Sequence, residues 1–232
     1  GTYGPPAATD AGPVIPGDTQ VQNALAFISE HQTQIGLVTV SIGGNDVTSC
    51  ATEPTLVLII GCVEAADTAI TANVTTLARE LRTAVGSGVP IVGLTYPDVI
   101  LGSWVYPTYS PTNNLASASI AAFDSLINPT LCSAYTGSPQ DGSFVNVTAA
   151  SVFGGAGVTG SEPCPSGSIT SLSTLAKLPK STGVTDVPNK TEIPEAVVDI
   201  CKTTYYCTLG NIHANSKGYL EIGKLIVSAL EG

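Results

Sequence analysis

Apolar residues recur along the chain in two rhythms, one helical and one strand-like. Val21, Ala24, Leu25 and Ile28 share one face of a helix that Asp18 or Thr19 can cap and that runs to about Glu30. His31 falls near its C-terminus, where the helix dipole favours positive charge, and takes no catalytic role. Residues 35–42 (IGLVTVSI) form a short β-branched run that predicts a strand buried on both faces, ending at Gly43-Gly44-Asn45-Asp46. An excursion between Cys50 and Cys62 follows. After it, Ile70, Val74, Leu77, Leu81 and Val85 mark a long helix that stops at Gly86 and Gly88. Residues 89–94 predict a second buried strand, with Thr95-Tyr96-Pro97-Asp98 as the loop at its end. Residues 113–128 predict an amphipathic helix and 143–147 a third strand. The last helix starts near Asn215 or Ser216, with Tyr219, Ile222, Ile226 and Ala229 facing inward.

Two stretches break the rhythm. Residues 1–17, rich in Gly, Pro and Ala, predict an irregular arm, and 153–190 a long surface excursion. The rest alternates strand and helix within one domain over 1–232. That order predicts an α/β fold of three layers, α/β/α, around a parallel sheet. In such sheets the chemistry sits beyond the carboxyl ends of the strands, where the loops at Asn45 and Asp98 fall.

Composition narrows the functional classes. The 43% hydrophobic and 11% charged content fits a compact chain, and 232 residues suffice for a real core. A formal charge of −10 argues against nucleic acid and anionic membrane surfaces as partners. The six cysteines (Cys50, Cys62, Cys132, Cys164, Cys201, Cys207) show no zinc-type spacing, so neither a metal nor another cofactor is expected. An even count fits three disulfides and an oxidising compartment. Neighbouring pairs are the expectation: Cys50–Cys62, Cys132–Cys164 and Cys201–Cys207. Six buried thiols are the alternative. No stretch of 18 uninterrupted apolar residues occurs, so no transmembrane segment is expected. Asn73, Asn146 and Asn189 each begin an N-glycosylation tripeptide. Absence of methionine and of a signal-peptide pattern at Gly1 predicts a processed chain or a fragment.

Two segments carry candidate chemistry. In LVTVSIGGNDV, Gly43 and Gly44 let the backbone turn off a buried strand and present the Asn45 carboxamide toward a developing oxyanion. Asp46 suits bracing that turn better than acid catalysis. In NIHANSKGY, His213 lies on a loop that leads into a helix, a placement suited to a general base. Each alone has an ordinary reading, as a turn and as a solvated histidine. Asp98, Glu192 and Glu195 show no pairing of the kind glycoside hydrolysis needs.

Together the two segments resemble the third and fifth conserved blocks of the SGNH (GDSL) hydrolases, secreted esterases and lipases with a flavodoxin-like sheet. The resemblance covers QVQNALAFISEHQTQIGLVTVSIGGNDV and ICKTTYYCTLGNIHANSKGYLEIGKLI and runs from about residue 17 to the C-terminus, weakest over 150–195. It implies a hydrolase of carboxylic esters, with lipid degradation among its possible roles. Asn45 would be an oxyanion-hole donor supported by Gly43, Gly44 and Asp46, and His213 the base that activates a serine. Two departures stand out. Where the family places a carboxylate before the histidine, this chain has Asn211 and Gly210, which leaves Asn211, a backbone carbonyl or Asp199 to orient the imidazole. The nucleophile block is also missing: Gly17-Asp18-Thr19 reads as a helix cap, and Ser41 and Ser49 lack a strand-to-helix elbow. The expectation is therefore that the first strands and the serine lie on an N-terminal companion segment, about 40–80 residues by the usual size of a βαβ unit. Ester or lipid is the expected substrate, with Tyr96, Trp104 and Tyr106 as candidate lining for its acyl group. A non-catalytic binding protein of the same fold is the alternative.

Overall fold

The computed structural model describes residues 19–110, 114–148, 150–155, 177–179, 187–188 and 192–231. Helix α1 (Gln20–His31) starts at Thr19, whose Oγ1 accepts from the Gln22 amide while Gln22 Oε1 accepts from the Thr19 amide, a reciprocal capping box. Asp18, the other candidate cap, lies outside the described residues, as do the arm over 1–17 and most of 153–190.

Three short strands, β1 (Val38–Val40), β2 (Ile91–Leu94) and β3 (Ser143–Val145), pair in parallel in that order. Parallel neighbours need a crossover. Helices α2 (Gly44–Thr48) and α3 (Leu56–Val85) link β1 to β2. Between β2 and β3 run a 3-10 segment (Val99–Trp104), α4 (Asn114–Ala122), a π turn (Phe123–Ile127) and α5 (Asn128–Thr136). The expected helix over 113–128 thus extends to Thr136, with Pro129 tolerated because it sits at the opening of α5. A two-stranded antiparallel ribbon, β4 (Lys177–Pro179) with β5 (Glu192–Pro194), leads into α6 (Glu195–Thr203), α7 (Tyr206–Leu209) and α8 (Ser216–Glu231). The chain is mostly helical around a small open sheet, an α/β arrangement.

Alternation along β2 divides the core. Ile91 packs with Val74, Leu81 and Tyr135 of α3 and α5 on one face. Val92 and Leu94 pack with Leu101, Val197 and Ile200 on the other. Gly93 is required by contact, because a Cβ there would lie 2.1 Å from the Tyr135 ring.

Several expectations need correction. The strand at 35–42 is not buried on both faces: it shrinks to Val38–Val40, with Val40 buried, Thr39 exposed and Leu37 38% exposed. Among the described residues β1 is an outer strand of the sheet. The Val38 amide donates to Pro90 O at 3.0 Å, so Thr39 turns its amide and carbonyl toward the open edge. The long helix begins at Leu56, inside the loop closed by the Cys50–Cys62 disulfide rather than after it, because Thr55 caps it. Tyr219 is not on the inner face of α8: it is 57% exposed, while Ile222, Leu225 and Ile226 pack on the core. Phe153, set at the start of the surface excursion, is fully buried. Asn146 cannot accept a glycan in the folded chain. It is buried, and its Oδ1 accepts from Thr95 Oγ1 at 3.2 Å and from Asn128 Nδ2 at 3.3 Å.

Cys50–Cys62 and Cys201–Cys207 are disulfides, as the neighbour pairing predicts, and both fit an oxidising compartment. Cys164, the expected partner of Cys132, lies outside the described residues. By length and composition α3 would be able to cross a membrane, with a mean hydropathy of 1.5 over its most apolar 18 residues. Its later turns, through Ile70, Val74, Leu77 and Leu81, are built into the core.

Candidate functional site

The Gly43-Gly44-Asn45-Asp46 turn is shaped by two glycines with different tasks. Gly43 caps α2 in the left-handed region, φ +106°, which only glycine enters without strain. Gly44 is needed for contact: a Cβ there would lie 2.6 Å from Cε2 of Tyr96. Asn45 and Asp46 follow in the first turn of α2, both exposed. The Asp46 carbonyl accepts Ser49 Oγ at 3.1 Å. Ser41, on the other flank, gives its carbonyl to the Tyr96 hydroxyl at 2.7 Å.

Tyr96 is the residue that sequence reading undervalued. It was expected only as possible acyl lining, yet its ring supports Gly44 and its hydroxyl holds the end of β1. A polar knot beneath it fixes its backbone: Thr148 Oγ1 donates to the Tyr96 carbonyl, and the Thr148 amide donates to Thr95 Oγ1 at 3.1 Å. Burial pushes the Tyr96 hydroxyl above its ordinary pKa. The negative charge of Asp46 and the Tyr219 phenol push the same way, and hydrogen bonds with Ser41 and Gly44 oppose them in part. Asp46 opens α2 and Tyr219 opens α8, so Tyr96 stands between the helices that carry Asn45 and follow His213.

The histidine loop is built from its anchors inward. Gly210 ends α7 with φ +65° and lies against Tyr106, whose ring would be 2.9 Å from a Cβ at that position. Beyond the loop, Asn215 caps α8, its Oδ1 accepting from the amides of Lys217 and Gly218 at 3.0 and 3.1 Å. Between these points Tyr205 N donates to His213 O at 3.0 Å and Asn215 N to Thr203 O at 2.9 Å, an antiparallel bridge centred on Thr204 and Ala214. The Cys201–Cys207 disulfide ties α6 to α7 under this bridge.

His213 is exposed, and Asn211 fixes the tautomer of its ring. Asn211 Oδ1 lies 2.9 Å from the His213 amide and 2.7 Å from His213 Nδ1. The backbone amide can only donate, which makes the nearby amide atom an oxygen. An oxygen with no proton then requires Nδ1 to carry the hydrogen. The neutral ring therefore keeps its lone pair on Nε2, the form a general base uses. Asp199 sits on α6 with Lys202 Nζ 3.2 Å from its Oδ1; the orienting bond to His213 comes from Asn211.

Other candidates fall elsewhere. Trp104 is core, and Tyr106 meets Tyr206 edge-on with centroids 6.3 Å apart. Asp98 is fully buried, and its Oδ2 accepts Ser119 Oγ at 2.9 Å. Tyr206, like Tyr96, is pushed above its ordinary pKa, first by burial and then by the charges of Asp98 and Tyr106. Folding thus favours the neutral phenols. Their contribution to stability is complete below pH 10.0, the ordinary tyrosine value, and is lost as pH rises through the folded pKa values. Absorbance at 295 nm is expected to show a late tyrosinate fraction, appearing above pH 10 together with loss of structure and reduced in Tyr96→Phe and Tyr206→Phe. Titration of all eight tyrosines together in the native protein would refute this.

Asn45, in the first turn of α2 just after β1, can donate hydrogen bonds, and His213, on the loop between α7 and α8, can accept a proton at Nε2. No family model matches the chain, nor does any curated protein or any solved structure.

Proposed function

We propose that this chain is the larger part of a secreted SGNH-type serine esterase or lipase, in which His213 is the base and Asn45 an oxyanion-hole donor. The single observation that carries the reading is the Asn211–His213 contact, which holds the protonated nitrogen at Nδ1 and leaves Nε2 for a serine hydroxyl. Asn211 then takes the orienting role of the usual carboxylate without its charge. The serine would attack an ester carbonyl, pass its proton to Nε2, and form an acyl-enzyme that water hydrolyses with His213 as base again. Asn45 would donate to the carbonyl oxygen as it gains charge.

The nucleophile, on this reading, belongs to a companion segment that extends the sheet at β1. Among the described residues nothing pairs with that edge, with the Thr39 backbone groups directed outward and Leu37 beside them. An unpaired edge of this kind is a template for another strand.

Labelling of the native secreted preparation with a fluorophosphonate, followed by peptide mapping, tests the proposal. A labelled serine on a covalently linked or tightly associated segment outside these 232 residues is the expected result. No label and no turnover of p-nitrophenyl esters would instead support a non-catalytic binding protein.

A further inference from the structure

Helix α2, which carries Asn45, has little of its own to hold its start. It is five residues long, and its cap is Gly43, which has no side chain and stands at φ +106°. Amides in the first turn of a helix have no partner within it, so a cap without a side chain leaves them to groups from elsewhere. Tyr96, just past the end of β2, supplies one. Its hydroxyl donates to the Ser41 carbonyl at 2.7 Å and takes a hydrogen bond from the Gly44 backbone, so one oxygen spans the turn between β1 and α2. The ring adds a contact: a Cβ on Gly44 would lie 2.6 Å from Cε2 and 2.7 Å from Cδ2 and Cζ. Gly44 is the residue directly before Asn45.

Tyr96 is in turn held from the sheet. Thr148 Oγ1 donates to the Tyr96 carbonyl, while the neighbouring Thr95 gives its Oγ1 hydrogen to Asn146 Oδ1 at 3.2 Å and accepts the Thr148 amide at 3.1 Å. Asn128 Nδ2 reaches the same Asn146 oxygen at 3.3 Å. All four of these polar side chains are buried, where a connected network is stiff. They join the ends of β2 and β3, which are hydrogen-bonded neighbours, so the base of Tyr96 moves only with the sheet. The other end of α2 has separate anchors, the buried Val47 and the Cys50–Cys62 disulfide. Those contacts fix where the helix lies, and Tyr96 fixes its first turn. That turn matters because a donor stabilises an oxyanion only at about 2.7–3.1 Å, and a displacement of about 1 Å can cost about 10²-fold in rate.

We propose that Tyr96 is a positioning residue, which caps α2 from the end of β2 and so holds Asn45 for its task as oxyanion donor. The task rests on the esterase reading, whereas the hold on α2 does not. The two parts of the side chain can be separated. Phenylalanine at this position keeps the ring against Gly44 and loses both hydrogen bonds across the turn.

The test is Tyr96→Phe in the protein together with any companion segment, with two readouts. The first is p-nitrophenyl ester hydrolysis. Here kcat is expected to fall about tenfold with KM unchanged, a part of the loss of about 10²- to 10³-fold expected when Asn45 itself is removed. In an Asn45→Ala background the same change is expected to matter by less than about twofold, because the group it aims is gone. A role in stability alone would lower kcat by the same factor in both backgrounds. The second readout needs no turnover. NMR relaxation is expected to show the order parameter of the Asn45 amide falling from about 0.85 toward about 0.6, with faster hydrogen exchange at the Gly44 amide. Thr148→Val releases the Tyr96 carbonyl and leaves the phenol in place, so it keeps the test decisive if Tyr96→Phe misfolds; it is expected to move both readouts the same way by a smaller factor. Equal factors in the two backgrounds, or an Asn45 amide that stays rigid, overturn the proposal, and with turnover intact they leave the esterase reading standing. Loosening of Asn45 with no ester turnover in any preparation upholds the hold on α2 and overturns the esterase reading.

Discussion

Replacing His213 with alanine is expected to lower kcat for p-nitrophenyl ester hydrolysis by about 10⁴- to 10⁶-fold, with little change in KM. On the proposed esterase reading, removal of the base would leave the serine hydroxyl un-ionised at the moment of attack. What remains is the acceleration from binding and from the oxyanion donors. Asn45→Ala should cost less, about 10²- to 10³-fold, because it removes one donor among several. Asn211 separates two roles that a carboxylate normally combines. Asn211→Ala frees the ring to choose either tautomer and should lower kcat. Asn211→Asp keeps the acceptor 2.7 Å from Nδ1 and adds charge, so it should raise kcat by about three- to tenfold through its attraction to the imidazolium. Single-turnover and steady-state kinetics on the protein together with any companion segment check the series. A His213→Ala protein that retains activity within tenfold of the parent would remove His213 from the chemistry.

The parts of this arrangement that were legible in the sequence are those set by local rules. A cap at Asp18 or Thr19 followed from local chemistry, and the structure shows it at Thr19 with Gln22 as its reciprocal partner. Gly43-Gly44 forces a turn, and β2 reads as a buried strand because Ile91, Val92 and Leu94 leave no polar face. The Asn215 cap was legible for the same reason. What failed depended on distant neighbours. The run at 35–42 looks as apolar as β2, yet it sits at the edge of the sheet, a property of pairing that periodicity does not encode. Tyr219 falls in register with Ile222 and Ile226, but the first turn of α8 projects past the core that covers the later turns. The start of α3 was hidden because a cysteine pair invites a loop between its members. Here the helix runs through the second cysteine instead.

The site shows the same division. Asn45 and His213 were singled out as candidates from motif and placement, and Asn211 as a neutral candidate for orienting the ring. The tautomer needed coordinates, because it follows from two distances to one oxygen. Tyr96 was underestimated because a tyrosine after a strand is ordinary. Its importance comes from Gly44, Ser41 and Thr148, three positions brought to it only by the fold. Helices on both faces of a parallel sheet converge their loops at one end, and Tyr96 is where two of those loops meet.

Gly93→Ala is expected to be strongly destabilising, costing about 3 kcal/mol and lowering Tm by about 10 °C for a domain of this size. Gly93 is in the middle of β2, the strand that pairs on both sides. The added methyl would sit 2.1 Å from Cδ2 of Tyr135, a fully buried ring stacked near Phe144. Tyr135 cannot swing into solvent, and α5, which carries it, is packed on α3. The strand would gain a little from alanine's smaller backbone entropy loss, about 0.5–1 kcal/mol, far less than the overlap costs. Gly223→Ala is the control: nothing lies within 4 Å of its Cβ position on α8, so the same methyl should stabilise by up to about 1 kcal/mol. Thermal and urea unfolding of both variants distinguishes contact from backbone preference. Tyr135→Leu removes the obstructing ring atoms, so the Gly93→Ala penalty should shrink in that background, a coupling visible in a double-mutant cycle. Equal penalties with and without the ring would mean that Gly93 is needed for its backbone and not for the space it leaves.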